Sequence, residues 1–323
     1  MLRVLTYHRV AELKDGLALN PFLSSAAPET FARQMRYLAE YYHVIAMKDV
    51  LRAVETGTRL SSRSVLLTFD DAYQDFGEIA WPILKRYRLP ATLFVPTAYP
   101  GQPHLSFWWD RLYRAVDCTS LRELRDTPLG ALRLDTAARR HRSLRKMQDY
   151  VKRFPHGEAM AIVDEICARL GEKSTNQESV LNWDQLRQLA KGGVTLGAHT
   201  RTHPIMTQLT PVQIREEIVG SQQDLKREVG NVLPIFSYPS GSHDDVVVSI
   251  LKKEGFVLAF TTLDGQNDLS SADLLRLRRT NISRRTSLPI FRLRLLRWVA
   301  YLDMWRHRNE RSVGQHSPVK GTL

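Results

Sequence analysis

The stretch S-V-L-L-T-F-D-D-A-Y-Q-D, residues 64–75, joins an apolar, β-branched run to two adjacent aspartates. Residues 64–69 are typical of a strand buried on both faces, as in the parallel sheet of an α/β protein. Asp70 and Asp71 then lie where the strand ends, at the edge where α/β folds bind their ligands. Two adjacent carboxylates repel each other, and a divalent cation bound to one would remove that cost. The alternative is a solvated pair that caps a helix.

A second motif, G-A-H-T-R-T-H-P at residues 197–204, carries two histidines in a similar setting. A short apolar strand over residues 194–198 is predicted to precede them. The four-residue spacing of His199 and His203 would place both rings on one face of a helical turn, as metal ligation requires. A histidine pair taken alone is more often structural. Its matching position after a strand favours a metal site shared with the aspartates.

The motifs T-F-D-D and H-T-x-x-H-P together resemble those of the polysaccharide deacetylase family, also called the NodB-homology or carbohydrate esterase 4 family. The similarity extends over roughly residues 1–110 and 180–285, with both motifs in the family's order and each after a predicted strand. The resemblance implies an α/β fold of a particular kind, a distorted (β/α) barrel of the NodB type.

The resemblance also implies a division of roles among the four motif side chains. Asp71, His199 and His203 would hold a divalent metal ion, and Asp70 would be the general base that activates the attacking water. Zinc is the expected metal because two histidines and one carboxylate with an open position suit it. Cobalt, nickel, manganese and iron remain alternatives, since affinity order alone does not fix occupancy.

The segment F-S-Y-P-S-G, residues 236–241, resembles a third family motif. In that motif a backbone N–H beside an aromatic residue stabilises the oxyanion, which would make Tyr238 part of the catalytic site and Pro239 a substrate-binding residue. The alternative is a Pro-Gly turn after a strand. Many relatives carry an arginine just before this motif that orients the base. This chain has Phe236 and Ser237 there, so no residue is predicted for that task.

The segment V-L-T-Y-H-R-V, residues 4–10, suggests the general acid. A first strand that ends in Tyr-His is characteristic of a branch of the family in which the order of elements is circularly permuted. His8 would then replace the C-terminal histidine of other members and protonate the leaving amine, which suits an imidazole near neutral pH. The alternative is a partly buried histidine at a strand end.

Three aromatic residues are candidates for binding a sugar ring. Tyr73 follows the aspartates, and Trp108 and Trp109 lie in F-W-W-D at residues 107–110. Aromatic rings next to an acid suit stacking on sugar faces. They also suit anchoring a helical insertion to the barrel, which we favour for the tryptophans. The insertion itself is predicted over about residues 105–180, where Arg-rich helical patterns interrupt the strand–helix alternation.

The resemblance implies a deacetylase-like catalytic domain over residues 1–285, for which the chain is long enough, and the charge distribution indicates a basic amphipathic tail over residues 286–323. The chain has 323 residues and a formal net charge of +12, and residues 284–323 contain nine Lys or Arg against two acids. Residues 288–308 would contact an anionic membrane as a helix, or would cover the barrel with their arginines outward. No nucleic-acid motif accompanies the charge, so no nucleic-acid partner is expected.

The first residues show no secretory signal pattern, and the expected location is cytoplasmic, with peripheral contact at the inner face of the membrane as a further expectation. Cys118 and Cys167 form no metal motif and do not suggest a disulfide framework.

These observations predict a metal-dependent hydrolase that removes N-acetyl groups from the amino sugars of a polysaccharide or a lipid-linked glycan. One alternative is an amidase or esterase that acts on a non-glycan acyl group. Another is a non-catalytic protein that binds a glycan or a membrane and retains the metal site. The spare carboxylate of Asp70 argues against the last alternative, because binding needs no base.

Overall fold

A nine-stranded, largely parallel sheet forms the centre of the structure, a computed structural model that describes residues 1–12, 23–102, 105–172 and 179–296. The strands are β1 (Leu2–Tyr7), β2 (Arg9–Val10), β3 (Ser24–Ala26), β4 (His43–Val44), β5 (Ser64–Phe69), β6 (Thr92–Val95), β7 (Glu123–Leu124), β8 (Leu132–Arg133), β9 (Thr195–Ala198), β10 (Ile235–Ser237), β11 (Leu258–Phe260), β12 (Gln266–Asn267) and β13 (Thr280–Asn281).

Ten α-helices surround or extend this sheet. They are α1 (Pro28–Tyr41), α2 (Met47–Thr56), α3 (Trp81–Arg86), α4 (Trp108–Cys118), α5 (Ala137–Val151), α6 (His156–Arg169), α7 (Trp183–Lys191), α8 (Pro211–Val229), α9 (Asp245–Lys253) and α10 (Leu288–Arg294) in the described residues. A π-helical turn, Phe76–Ala80, precedes α3, and short 3-10 turns span Met206–Gln208 and Pro239–Gly241.

The order of strands across the sheet is β11-β10-β9-β6-β5-β1-β12, with β4 beside β5 and β13 beside β1. Strands β1 and β5 run parallel in a register that pairs Tyr7 with Phe69. The next residue, Asp70, donates its N–H to the carbonyl of Tyr7 at 3.0 Å. The two strand ends therefore bring His8 and Asp70 to the same edge of the sheet.

Alternation along these strands separates two apolar layers. Leu2 and Val4 of β1 pack with Leu66 of β5 in one cluster, whereas Leu67 and Phe69 pack in another. Thr6 and Thr68 continue the first set, with their hydroxyls 2.9 Å apart. Side chains two residues apart lie on the same face of a strand. His8 and Asp70 follow Thr6 and Thr68 by two residues, so they lie on this face as well.

The segment before β13 curls the sheet into the expected distorted barrel. The N–H of Leu277 donates to the carbonyl of Ala259 in β11, and the carbonyl of Leu277 accepts the N–H of Thr261, both at 2.8 Å. The N–H of Ile282 donates to the carbonyl of Thr6 in β1 at 2.9 Å. One stretch of chain thus bridges the two sides of the sheet. Within residues 274–282 only β13 is regular strand.

Local sequence signals set the bounds of several elements. Helix α7 begins after the Asn182 cap, and α8 begins at Pro211 after the Thr210 cap. Strand β4 is limited to His43–Val44, because α2 already begins at Met47.

The helical insertion has an apolar core of its own. Leu112 of α4, Leu144 and Met147 of α5 and Val163 of α6 pack together with the hairpin β7–β8. The insertion meets the main sheet at the start of α4, where Phe107 and Trp109 join the large core cluster.

The C-terminal part of the described chain docks on the barrel. Phe291 of α10 is buried, and the guanidinium of Arg292 lies over the Tyr37 ring of α1 at 4.8 Å from its centroid. Residues 297–323, most of the predicted basic tail, lie outside the described residues. Among the helices that the structure describes, none has both the length and the apolar character needed to cross a bilayer.

Candidate active site

The turn after β5 separates the two aspartates although they are adjacent in sequence. Both side chains are buried, and Asp71 and Ala72 have left-handed backbone angles, φ of 73° and 51°. Such angles cost a non-glycine residue about 1–2 kcal/mol, so the surroundings must hold the turn. One restraint is the N–H of Leu181, which donates to the carbonyl of Ala72 at 2.9 Å. The reversal directs the two carboxylates to different partners.

The histidine motif is a loop, which corrects the predicted helical turn. Thr200 and His203 have φ of 65° and 57°. The N–H of His203 donates to the Thr200 hydroxyl at 3.0 Å, and Glu217 of α8 accepts the N–H of Arg201 at 2.6 Å and of Thr202 at 3.0 Å. Side chains thus satisfy the backbone donors that a helix would have used. The two imidazole rings still meet, with centroids 4.9 Å apart.

Asp71, His199 and His203 form a compact group of candidate metal ligands. Oδ1 of Asp71 lies 3.5 Å from Nε2 of His199 and 3.4 Å from Nε2 of His203, and the three possible ligand atoms lie within 4.8 Å of one another. This oxygen is buried and accepts no hydrogen bond from the described part of the chain. Two imidazole nitrogens and an orphaned carboxylate oxygen fit a divalent cation that keeps an open coordination position.

The surroundings of this group orient His199 and keep Asp71 ionised. Nδ1 of His199 lies 2.7 Å from the carbonyl of Ser237, which directs Nε2 towards Asp71. Burial raises the pKa of Asp71, but the nearby imidazoles of His199 and His203 together outweigh it and hold the pKa well below its usual range. The carboxylate is therefore ionised in the folded protein.

Asp70 faces a different partner, Arg279, which the sequence did not predict. The guanidinium donates to both oxygens of Asp70, Nη1 to Oδ1 at 2.8 Å and Nη2 to Oδ2 at 2.7 Å. Arg279 is 1% exposed and Asp70 2%. Burial raises the pKa of Asp70, but the charges of Arg279 and then His199 outweigh it and hold the pKa below its usual range.

Arg279 thus lies where an orienting arginine was missing from the third motif. It comes from the segment that closes the barrel, next to β13, rather than from the strand before Tyr238. A bidentate fork fixes the carboxylate plane, yet each oxygen keeps a further lone pair for a proton. Ser237 adds a weaker contact, with its hydroxyl 3.4 Å from Oδ2 of Asp70.

His8 lies beside both aspartates. Its N–H donates to the Ser25 hydroxyl of β3 at 2.8 Å, and its ring is close enough that its charge lowers the pKa of Asp70 and of Asp71. The side chain is partly exposed, as a group that meets a substrate must be. The structure therefore brings His8 to the site that the two motifs form.

The N–H of Tyr238 itself is not free to serve as the oxyanion donor that was predicted beside this aromatic residue. Its N–H already donates to the carbonyl of Phe260 at 3.1 Å, because the residue still pairs with β11 as the sheet ends. Its hydroxyl donates to the carbonyl of Leu275 at 2.7 Å, and the ring is fully buried. Tyr238 and the buried Pro239 instead hold the end of β10, which carries Ser237 into the site.

Two of the three candidate sugar-binding aromatics are buried, which corrects their predicted role. Tyr73 has no exposed surface, and Trp109 is 9% exposed. Nε1 of Trp109 donates to the Tyr73 hydroxyl at 2.9 Å, which joins the insertion to the turn after the aspartates. The anchoring interpretation fits both residues. Trp108 is partly exposed and keeps a surface that a sugar ring could contact.

Comparisons with known proteins agree with this geometry. The model of the polysaccharide deacetylase family matches residues 57–124 and 140–259, together more than half of the chain. The chain is 20% identical to YxkH of Bacillus subtilis over 265 residues, 82% of this chain and 65% of that protein. It is 34% identical to the poly-beta-1,6-N-acetyl-D-glucosamine N-deacetylase of Staphylococcus epidermidis over 109 residues, 30% of this chain and 36% of that enzyme. The chain therefore spans less than two thirds of these relatives.

Two solved structures share the fold. The deacetylase PplD of Streptococcus pyogenes, in complex with acetate, superposes with a TM-score of 0.62 at 20% identity, covering 91% of this chain and 98% of PplD. IcaB of Ammonifex degensii superposes with a TM-score of 0.57 at 19% identity, covering 91% of this chain and 97% of IcaB. The expected barrel of the NodB type is thus confirmed.

Proposed function

Because the chain belongs to the polysaccharide deacetylase family, we propose that it is a metal-dependent hydrolase that removes N-acetyl groups from the amino sugars of a glycan. One observation carries this proposal. Asp70 is not one of the candidate metal ligands, and Arg279 holds its carboxylate ionised beside them. A binding protein would have no use for a buried, oriented carboxylate next to a metal site. Amide hydrolysis requires one, because the attacking water must lose a proton.

Asp71, His199 and His203 would hold the metal, with zinc the proposed ion from its preference for nitrogen and oxygen ligands. When bound, a divalent cation would lower the pKa of a water molecule and polarise the acyl oxygen. The residues of the chain supply the rest. Asp70 accepts the proton of the attacking water while Arg279 keeps the carboxylate plane fixed.

We assign the proton for the leaving group to His8. Amide cleavage expels a poor leaving group unless the nitrogen is protonated as the bond breaks. His8 lies at the end of β1, next to β5, and is partly exposed at the site, so it can meet a substrate nitrogen. Its replacement with Ala should lower turnover of an amide more than turnover of an ester with a good leaving group.

The substrate class follows from the relatives by analogy. A curated relative is named for poly-beta-1,6-N-acetyl-D-glucosamine, and we propose an N-acetylglucosamine polymer or a lipid-linked glycan for this chain. The partly exposed ring of Trp108 would contact a sugar face at the site mouth.

The test compares acetate release from N-acetylglucosamine oligomers and lipid-linked N-acetylated sugars with release from simple acetamides and aryl acetates. We expect release from the glycans, loss after chelation, and recovery on adding zinc. Hydrolysis of only the non-glycan acyl compounds would establish the amidase or esterase alternative. A purified protein that binds metal and glycan but releases no acetate from any substrate would be a binding protein, and the proposal would fail.

We further propose that residues 288–308 contact the anionic inner face of the membrane from the cytoplasm. Two observations support this partner. The outer side of the docked C-terminal helix exposes Ile290, Leu293 and Leu296, each between 41% and 45%. Arg292 is also exposed among them, and such a mixture of apolar and basic side chains suits an anionic lipid interface. Residues 297–308 lie outside the described chain.

Vesicle binding tests this contact. The double variant Ile290→Glu with Leu293→Glu should bind vesicles of phosphatidylglycerol and phosphatidylcholine at least ~10-fold more weakly, because each buried aliphatic side chain contributes about 1.5–3 kcal/mol. The matched control is Val212→Glu with Val246→Glu, which introduces the same charge at two exposed valines outside the C-terminal helix. Equal binding by the two double variants would contradict the proposal.

A further inference from the structure

The two candidate metal-binding histidines are held in different ways. His199 is fixed through Nδ1, which lies 2.7 Å from the carbonyl of Ser237 in β10. His203 is instead enclosed by aromatic rings. The ring of Trp109 crosses it at 63° with centroids 4.6 Å apart, and the ring of Phe107 lies 5.9 Å away at 66°. The barrel therefore supports one histidine and the helical insertion supports the other.

The Trp109 ring is itself restrained on two sides. Phe107 stacks on it with centroids 4.5 Å apart and an interplanar angle of 7°. Its Nε1 donates to the Tyr73 hydroxyl at 2.9 Å, and that hydroxyl donates to Oδ2 of Asp110 at 2.8 Å. Both Tyr73 and Asp110 are buried, so each hydrogen bond is made in a low-dielectric environment and is costly to leave unmade.

This chain of contacts also reaches the other side of the site. Tyr73 follows the strained turn of Asp71 and Ala72 directly. The guanidinium of Arg9 covers the Tyr73 ring at 4.3 Å from its centroid and is bonded to Asp75 at 2.7 Å. One buried network thus connects the start of α4, the turn that carries Asp71 and the ring of His203.

We propose that Trp109, Tyr73 and Asp110 are positioning residues through which the helical insertion sets the metal affinity of the site. A bulky indole locked by stacking and by a hydrogen bond limits the rotation of the His203 ring and keeps its Nε2 directed at Asp71. Groups that orient a ligand commonly change metal affinity by ~10- to 100-fold when they are removed. The proposal rests on the proposed function, because it presumes that the group of Asp71, His199 and His203 binds metal.

The test measures dissociation constants for Zn²⁺ by competition with a chromophoric chelator, together with the visible spectrum of the Co²⁺ form. We expect Trp109→Ala to bind Zn²⁺ about 10- to 100-fold more weakly and to change the Co²⁺ spectrum. Trp109→Phe retains a ring against His203 and should recover most of the affinity. Tyr73→Phe, which removes the hydroxyl between Trp109 and Asp110 but keeps the ring, should fall between Trp109→Phe and Trp109→Ala.

The control is Trp81→Ala, which removes an indole beside Gly192, before β9, whereas the histidines follow that strand. It should leave the Zn²⁺ dissociation constant unchanged. Since Trp109→Phe and Tyr73→Phe keep an aromatic ring, they preserve the test if Trp109→Ala fails to fold. Wild-type affinity and an unchanged Co²⁺ spectrum in the Trp109 and Tyr73 variants would overturn this inference alone. A wild-type protein that binds no metal would overturn the proposed function with it.

Discussion

Replacing Asp70 with Asn is expected to lower kcat for the proposed glycan deacetylation by about 10²- to 10⁴-fold while leaving the proposed metal site able to bind one ion. The carboxamide has nearly the shape of the carboxylate but cannot accept the proton of the attacking water. The candidate ligand group does not include Asp70, so its metal affinity should change little. Acetate release and metal stoichiometry, measured on the same preparation, check both halves of this expectation.

The matched variant is Asp71→Asn, which alters the candidate ligand instead of the base. It should lose metal affinity as well as turnover, because the carboxylate oxygen between the two imidazoles is replaced by a weaker, uncharged donor. A variant at Asp70 that retains wild-type turnover would show that the base is a different group. Equal loss of metal in both variants would show that the two aspartates do not divide the roles as proposed.

Replacing Arg279 with Met should reduce both stability and activity strongly. Removing one member of a buried ion pair leaves the other charge without compensation, which typically costs about 3–5 kcal/mol in the free energy of unfolding. Asp70 would keep the burial that raises its pKa and lose the charge that contributes most to lowering it. The acid limb of the pH dependence of kcat/KM should therefore move to higher pH. Arg279→Lys keeps the charge without the bidentate fork and should lie between Met and wild type.

The same ion pair predicts how the difference in free energy of unfolding between the wild type and Arg279→Met depends on pH. The folded pKa of Asp70 lies below its unfolded value of about 3.9, so its contribution is fully present above that pH and is lost as the pH falls through the folded pKa. In Arg279→Met the carboxyl becomes easier to protonate. The gap in free energy of unfolding between the two proteins should thus be largest near pH 7 and shrink on acidification. Urea unfolding at several pH values measures it, and a gap independent of pH would contradict the assignment.

The candidate site divides into a part that local sequence determines and a part that closure of the barrel determines. Asp70, Asp71 and His199 lie directly after strands that the apolar pattern of the sequence predicts. Their meeting at one edge of the sheet could therefore be predicted as well. Arg279 is 209 residues from Asp70, in a stretch with two other arginines. Only the bridging of β11 and β1 by that stretch shows which arginine points into the barrel.

Residue type also did not reveal how the aromatic residues are used. Tyr73 and Trp109 have the chemistry to stack on sugars, yet both are buried, and burial depends on how the insertion docks. The positive φ of Ala72 was likewise hidden, because this backbone conformation is one that glycine, rather than alanine, usually adopts. The loop form of the histidine motif depends on Glu217, which comes from a helix well beyond the motif.

The central claim is that Asp71, His199 and His203 hold the metal while Asp70 stays free to act as base. A crystal structure of the zinc-loaded protein, with anomalous scattering measured at the zinc edge, tests it most directly. The account predicts one peak bonded to Asp71 and to Nε2 of both histidines at about 2.0–2.2 Å, with Asp70 still paired to Arg279 and unbonded to the ion. A peak elsewhere, or zinc bonded to Asp70 in place of Asp71, would contradict it.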